Sequence, residues 1–180
     1  MKIIRWKRFS WDLTRLAAES LAIGSPYPVR EATPEDETGV RNLVLSAFTL
    51  DSDWNYILSD IRGRLEESLD RVFSSKRGSS VFALVITHGS RIVGVSALNT
   101  QPDVDNHLLT GPCIPIEYRN RGLATALLAQ SLLALRNAGL PTAHGITMEN
   151  VPTAEFVYPK FDSTQAPYLW DQRPGAVPAG

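Results

Sequence analysis

Apolar residues at Leu13, Leu16, Ala17 and Leu21 recur at the spacing of one helical face, with Ser10 placed to cap the segment and Gly24 to stop it. Tyr27-Pro28-Val29 reads as a short strand. Thr33-Pro34-Glu35-Asp36 carries a second helix start: a capping side chain, proline at the first position and two acids opposing the dipole. The apolar face Val40, Leu43, Val44, Ala47, Phe48 predicts one amphipathic helix behind it. After a break at 51–53, a second face runs through Trp54, Ile57, Leu58, Ile61, Leu65, Leu69, Val72 and Phe73. VFALVIT at 81–87 and RIVGVSAL at 91–98, joined through His88-Gly89-Ser90, predict an antiparallel hairpin. A third β run covers 107–114, a largely apolar helix 122–138 stops at Gly139, and 142–148 resumes strand. Pro152 opens a short helix reaching Tyr158, and 167–170 reads as a last strand.

This order mixes a hairpin with a strand–helix–strand crossover, so the expected fold class is α/β of the mixed α+β kind. The expectation is a single domain with a mixed central sheet and helices on both faces. Residues 1–24 are read as an extension packed on that domain, which spans 25–171, and 172–180 as a flexible tail. With 180 residues, 43% of them hydrophobic, the chain can bury one sizeable core. Eighteen basic against nineteen acidic side chains leave a net charge of −1, which removes any whole-chain field that would gather nucleic acid or an anionic membrane. The sole cysteine, Cys113, has no partner for an internal disulfide, and the three scattered histidines do not make a zinc pattern, so a reducing, cytoplasmic setting is expected. Asp12, Arg15 and Glu19 interrupt the start as a signal peptide, and no apolar run reaches the roughly 18 residues a bilayer requires. No membrane partner is expected.

Most of the chemical information lies between Gly111 and Thr125, where a strand passes through a basic, glycine-containing turn into a helix. The first amides of a helix lack intrahelical partners and carry a partial positive charge, so this turn is suited to phosphate. Gly122 admits close backbone approach, Ala124 keeps the first turn small, Thr125 offers a hydroxyl, and Arg119 and Arg121 add charge.

RNRGLATALL, between a strand and a long helix, resembles the acetyl-CoA-binding motif of the GNAT acetyltransferase superfamily; Arg119, Gly122 and Ala124 match its pattern. The order of elements resembles that family over roughly 27–158. The resemblance implies that the amides of Asn120, Arg121, Gly122, Leu123, Ala124 and Thr125 bind the diphosphate of acetyl-CoA. Arg119 would brace the loop, and Cys113 and Ile114 would meet the pantetheine arm. A second segment, Asn150 to Phe161, is similar to the family motif in which an Asn precedes a helix ending in Tyr-x-Lys, so Asn150 is assigned to the cofactor and Tyr158 to catalysis, as donor to the leaving thiolate. Two departures are visible: one residue more than usual separates Asn150 from Tyr158, and Asp162 replaces a common glycine.

The implied reaction is direct attack of a primary amine, of a small molecule or a protein, on the thioester. The base is open among His107, Asp103, Asp105 and water. Asp51, Asp53, Trp54 and Tyr56, with His107, are the candidate acceptor contacts; equally, Asp53 caps the second helix and Trp54 fills the core. A buried Cys113 is read as inert. Two alternatives stand beside this reading. One is a non-catalytic acyl-CoA-binding regulatory module. The other is nucleic-acid binding through the arm 1–16, where Lys2, Arg5, Lys7, Arg8 and Arg15 face only Asp12 and are interleaved with Trp6, Phe9 and Trp11. A structural role for that arm, an added strand from Ile3 to Phe9 covering a sheet edge, is preferred. The sequence leaves a homodimer open.

Overall fold

The structure is a computed structural model that describes residues 3–55, 57–74 and 79–169. Tyr56, most of the loop at 75–80, Trp170 and the tail at 172–180 lie outside the described residues. The strands are β1 (Trp6–Asp12), β2 (Val29–Glu31), β3 (Val81–His88), β4 (Arg91–Asn99), β5 (Thr142–Met148) and β6 (Thr164–Tyr168). The α-helices are α1 (Ala18–Leu21), α2 (Glu37–Thr49), α3 (Leu58–Ser74) and α4 (Leu123–Asn137). The named strands form two antiparallel three-stranded sheets, ordered β5–β1–β6 and β2–β3–β4.

The amino-terminal arm departs from its expected role. β1 does not cover an edge; it is the middle strand of its sheet, pairing Phe9 with Gly145 on one side and Gln165 on the other. Side chains alternate along a strand, so Phe9 and Trp11 enter one face, where both are fully buried, while Trp6 and Ser10 point to the other. The aromatic residues that resemble a nucleic-acid arm are therefore core. Three of its charges lie near carboxylates: Lys7 is 3.4 Å from Glu149, Arg8 4.0 Å from Asp105 and Arg15 3.6 Å from Asp12. Ser10 caps no helix. The Asp12 carboxylate takes the Thr14 N–H at 3.0 Å and hydroxyl at 2.5 Å, turning the chain, and helix is limited to four residues while Leu13, Leu16 and Leu21 still reach the core.

Before α2, Thr33 and Asp36 form the expected capping box around a 3₁₀ turn at Pro34–Asp36. Arg30 grips Asp36 through two bonds of 2.6 and 2.9 Å, which lowers that carboxyl to about 2. The hairpin β3–β4 and the limits of α4 and β5 follow the apolar pattern closely.

The run 107–114 is not a continuous strand. It makes isolated antiparallel bridges, Leu98 to Leu108 and Val95 to Cys113, because Gly111 (φ 61°) turns it and Pro112 has no N–H to donate. At its start it joins the two sheets: the N–H groups of His107 and Leu108 both donate to the His144 carbonyl, and the His144 N–H donates to His107 Nδ1 at 2.9 Å.

Burial pulls both His107 and His144 below the ordinary histidine range. The unfolded chain takes up these protons near pH 6.5 and the folded chain does not, so stability is full above that pH and falls as the pH drops through it. We expect a lower urea midpoint at pH 5 than at pH 7.5, with a shallower slope in His144→Gln. The Arg30–Asp36 pair adds its own loss only below about pH 4, which separates the two windows in one titration.

Candidate functional site

The basic turn after Pro115 leads directly into α4. From Pro115 the chain makes a 3₁₀ turn at Ile116–Tyr118, then passes through Asn120 (φ 61°) and Gly122 (φ 74°) into the helix. Left-handed residues two apart bring neighbouring N–H groups toward one side, a concavity for anions. No side chain caps α4. Among the described residues nothing accepts from the N–H groups of Gly122, Leu123, Ala124 or Thr125, while Ala126 already bonds the Gly122 carbonyl. Only a residue content with positive φ serves at 122, and no atom lies within 4 Å of where a Cβ would stand.

These amides open into a cavity of about 1170 Å³ whose lining includes Asn120, Gly122, Leu123, Ala124 and Thr125 at one end. Lys160 stands there too, its Nζ donating to Thr125 Oγ1 at 2.8 Å. Arg119 donates from Nε to the Ile114 carbonyl at 3.3 Å and lies 4.0 Å from the Asp51 carboxylate. Arg121 is turned elsewhere: its guanidinium holds the Glu117 carbonyl and the Tyr27 hydroxyl and covers the Tyr118 ring at 4.8 Å. Asn150 is also outside the lining, exposed, with φ 68° where the chain leaves β5.

Thr110, Pro112, Cys113, Ile114, Ile146 and Thr147 carry the cavity between the two sheets to Tyr158. That phenol is 1% exposed and meets Phe9 and Trp11 edge-on at centroid distances of 5.4 Å. It follows a π-turn at Thr153–Val157, closed by Tyr158 N–H to the Thr153 carbonyl at 2.8 Å. A π-turn holds one residue more than an α-turn, and Tyr158, directly after it, lines the cavity. Asp162 adopts φ 56°, the conformation for which glycine is the usual choice. Every fully enclosed side-chain nitrogen and oxygen among the described residues has a hydrogen-bond partner, so the unbonded Tyr158 Oη is reached from the cavity. Burial, reinforced by Cys113, raises the phenol above its ordinary value, and burial pushes the Cys113 thiol up to about 12. The thiol is therefore a neutral wall atom at neutral pH.

Trp6, Phe48, Trp54, Ile61 and Leu65 also line the cavity, with Trp54 packed on Phe48 at 4.9 Å and on Trp6 at 6.1 Å. Asp51 and Trp54 line the cavity as expected residues, and Asp53 does not. The capping role falls to Asp51, whose carboxylate accepts from the Asp53 N–H at 3.0 Å. His107 is likewise no part of the lining. It is 1% exposed, with Nδ1 accepting from His144 and Nε2 donating to the Gln101 carbonyl at 3.0 Å, so neither nitrogen is free to take a substrate proton. Tyr56 lies outside the described residues.

Sequence reasoning passed over many lining residues, Trp6, Asn99 and Lys160 among them. Trp6 looked like part of a basic arm, and Asn99 is a strand-end amide with no distinguishing pattern. Lys160 carried a signal, its place in Tyr-x-Lys two residues after Tyr158. Among the described residues no cluster of metal-ligating side chains is present, and no helix is long and apolar enough to cross a membrane.

No protein-family model matches the sequence, and no curated protein is similar to it at the sequence level. Solved structures are similar in fold. A GNAT-family acetyltransferase from Colwellia psychrerythraea aligns with a TM-score of 0.60 at 17% identity, over 92% of this chain and 54% of its own. GCN5-related N-acetyltransferases from Sphaerobacter thermophilus (TM-score 0.55, 16% identity, 97% and 54%) and Kribbella flavida (0.55, 12%, 90% and 55%) align as well. The chain thus spans little more than half the length of these proteins. At such identities it is the fold alone that is shared, and that fold is GNAT-like.

Proposed function

We propose that the chain is an acetyl-CoA-dependent N-acetyltransferase acting on a primary amine. One observation carries the reading: a single cavity is lined both by the unpartnered amides at the start of α4 and by the Tyr158 phenol. The amides of 120 and 122–125 and the Lys160 ammonium fit a diphosphate, and the parted segment 110–114 and β5 residues Ile146 and Thr147 fit an extended amide arm. Acetyl-CoA supplies the activated acetyl thioester. Arg119 keeps the turn in place through Ile114. Tyr158 Oη keeps its proton across the neutral range, because burial disfavours the phenolate, and offers a hydrogen bond to the departing sulfur. Cys113, neutral and walled in, takes no covalent part. With His107 committed to His144 and Gln101, the amine proton leaves through water or the loop carboxylates Asp103 and Asp105, which line the cavity.

Calorimetry with acetyl-CoA, followed by thiol release over an amine panel, tests the proposal. Binding with amine-dependent release is expected; a folded protein that does not bind at millimolar acetyl-CoA refutes it. Binding without release from any amine indicates the regulatory module instead. Lys160→Ala is expected to weaken acetyl-CoA binding about tenfold at low salt, since a charge-assisted bond is lost, with a smaller effect at high salt. Equal loss at both salt concentrations would place Lys160 away from the phosphates.

A further inference from the structure

Beside the α4 amides and Tyr158, the cavity lining offers three further kinds of surface, and each constrains what binds there. Its wall is apolar and aromatic, built from Trp6, Phe48, Trp54, Ile61 and Leu65 on four different elements. The loop 103–106 adds two carboxylates to the lining, Asp103 and Asp105. Asp103 has no ion-pair partner among the described residues, and Asp105 has only loose contacts, Arg8 at 4.0 Å and the Tyr168 hydroxyl at 3.4 Å. Glu67, Arg64 and Arg71 line the cavity as well, both arginines already engaged within the chain and Arg64 close enough to act on Tyr168, whose hydroxyl meets Asp105. Asn99, 3% exposed at the end of β4, lines the same cavity. Its Oδ1 accepts from the Gln101 N–H at 3.0 Å, which orients the amide and leaves Nδ2 as an unused donor. Since every enclosed side-chain polar atom among the described residues is bonded, that donor is reached from the cavity.

We infer that the acceptor is an amphipathic amine: a cationic nitrogen on an aromatic or branched apolar body that also carries a neutral carbonyl rather than a carboxylate. The body is held by the Trp6–Phe48–Trp54 wall, where burying an aromatic group is the main source of affinity. The ammonium is held by Asp103 and Asp105, which repel an anionic acceptor. The carbonyl accepts from Asn99 Nδ2, a buried donor that an acceptor without such an oxygen leaves unpaired. This rests on the acyl-transfer reading above in assigning the ligand the role of acceptor.

Phenylalaninamide has all three features and serves as the probe, with calorimetry in the absence of acetyl-CoA as the readout. Glycinamide removes the body, phenylalanine replaces the amide with a carboxylate, and phenethylamine removes the carbonyl. Phenylalaninamide is expected to bind at least tenfold more tightly than glycinamide or phenylalanine and at least fivefold more tightly than phenethylamine; a smaller ratio against any of the three overturns the inference. Asp103→Asn combined with Asp105→Asn should abolish the preference over phenylalanine alone. Asn99→Ala should abolish only the preference over phenethylamine. If Asn99→Ala instead weakens acetyl-CoA and leaves the amide series intact, Asn99 serves the thioester and the assignment falls. Trp54→Leu should abolish the preference over glycinamide, and Phe48→Leu repeats that arm if the first variant does not fold. Selective amide binding by a protein that fails to bind acetyl-CoA would sink the acetyltransferase reading and leave this ligand class standing; acetyl-CoA binding without amide selectivity does the reverse.

Discussion

Tyr158→Phe should lower turnover about 10²-fold while leaving the acetyl-CoA dissociation constant within about twofold of the parent, as expected when a positioned proton donor is removed. The substitution is close to isosteric. Tyr158 Oη makes no hydrogen bond within the described chain, so its loss strands no partner, and the ring contacts with Phe9 and Trp11 persist. Thermal stability should therefore change little, which separates chemistry from folding in a single variant. The phenol is held protonated by burial, so the parent's pH profile should show no limb from its ionisation between pH 6 and 9. Steady-state kinetics with calorimetry decides the matter: unchanged turnover would remove Tyr158 from the chemistry, and a large loss of acetyl-CoA affinity would make it a binding residue instead.

The second large effect is expected at Gly111. A Cβ there would lie 2.6 Å from Tyr158 Oη but an ordinary 3.6 Å from Cζ, and the residue sits at φ 61°. Gly111→Ala should cost about 3 kcal/mol, part left-handed strain and part collision with the hydroxyl. The collision exists only while the hydroxyl does. In a Tyr158→Phe background the same change should cost about 1–2 kcal/mol, leaving a coupling of about 1–2 kcal/mol in a double-mutant cycle read by urea unfolding. Additive losses would show that the phenol does not stand against Gly111. The cycle measures the placement of Tyr158 without any ligand, and so tests the site independently of its chemistry.

Legibility in the sequence followed how local the determining physics is. α2, α3, β3, β4, α4 and β5 were marked by apolar period and by stop signals such as Gly139, and they stand nearly where the pattern put them. The expected helix after Ser10 failed because leucines spaced for a helix are equally satisfied by a turn that drops each one into the core. The run 107–114 failed because a β-rich composition does not reveal that Gly111 and Pro112 interrupt pairing in the middle. For the site, the turn at 119–125 and Tyr158 were readable as motifs. His107 and Asp53 were not separable from ligands by type alone, since only folding shows that both His107 nitrogens are already bonded and that Asp53 stays out of the cavity lining.

What the sequence determined by itself is the set of elements and the uncapped, glycine-started helix, because caps, periodicity and positive-φ residues act within a few positions along the chain. Tertiary structure alone decided that β1 lies between β5 and β6, that a π-turn aims Tyr158 into the same cavity as the helix amides, and that Asn99 and Trp6 face it from distant segments. Those relations depend on which surfaces exclude water together, and pairing across 130 or more residues, as between Ser10 and His144, leaves no periodic trace in the chain.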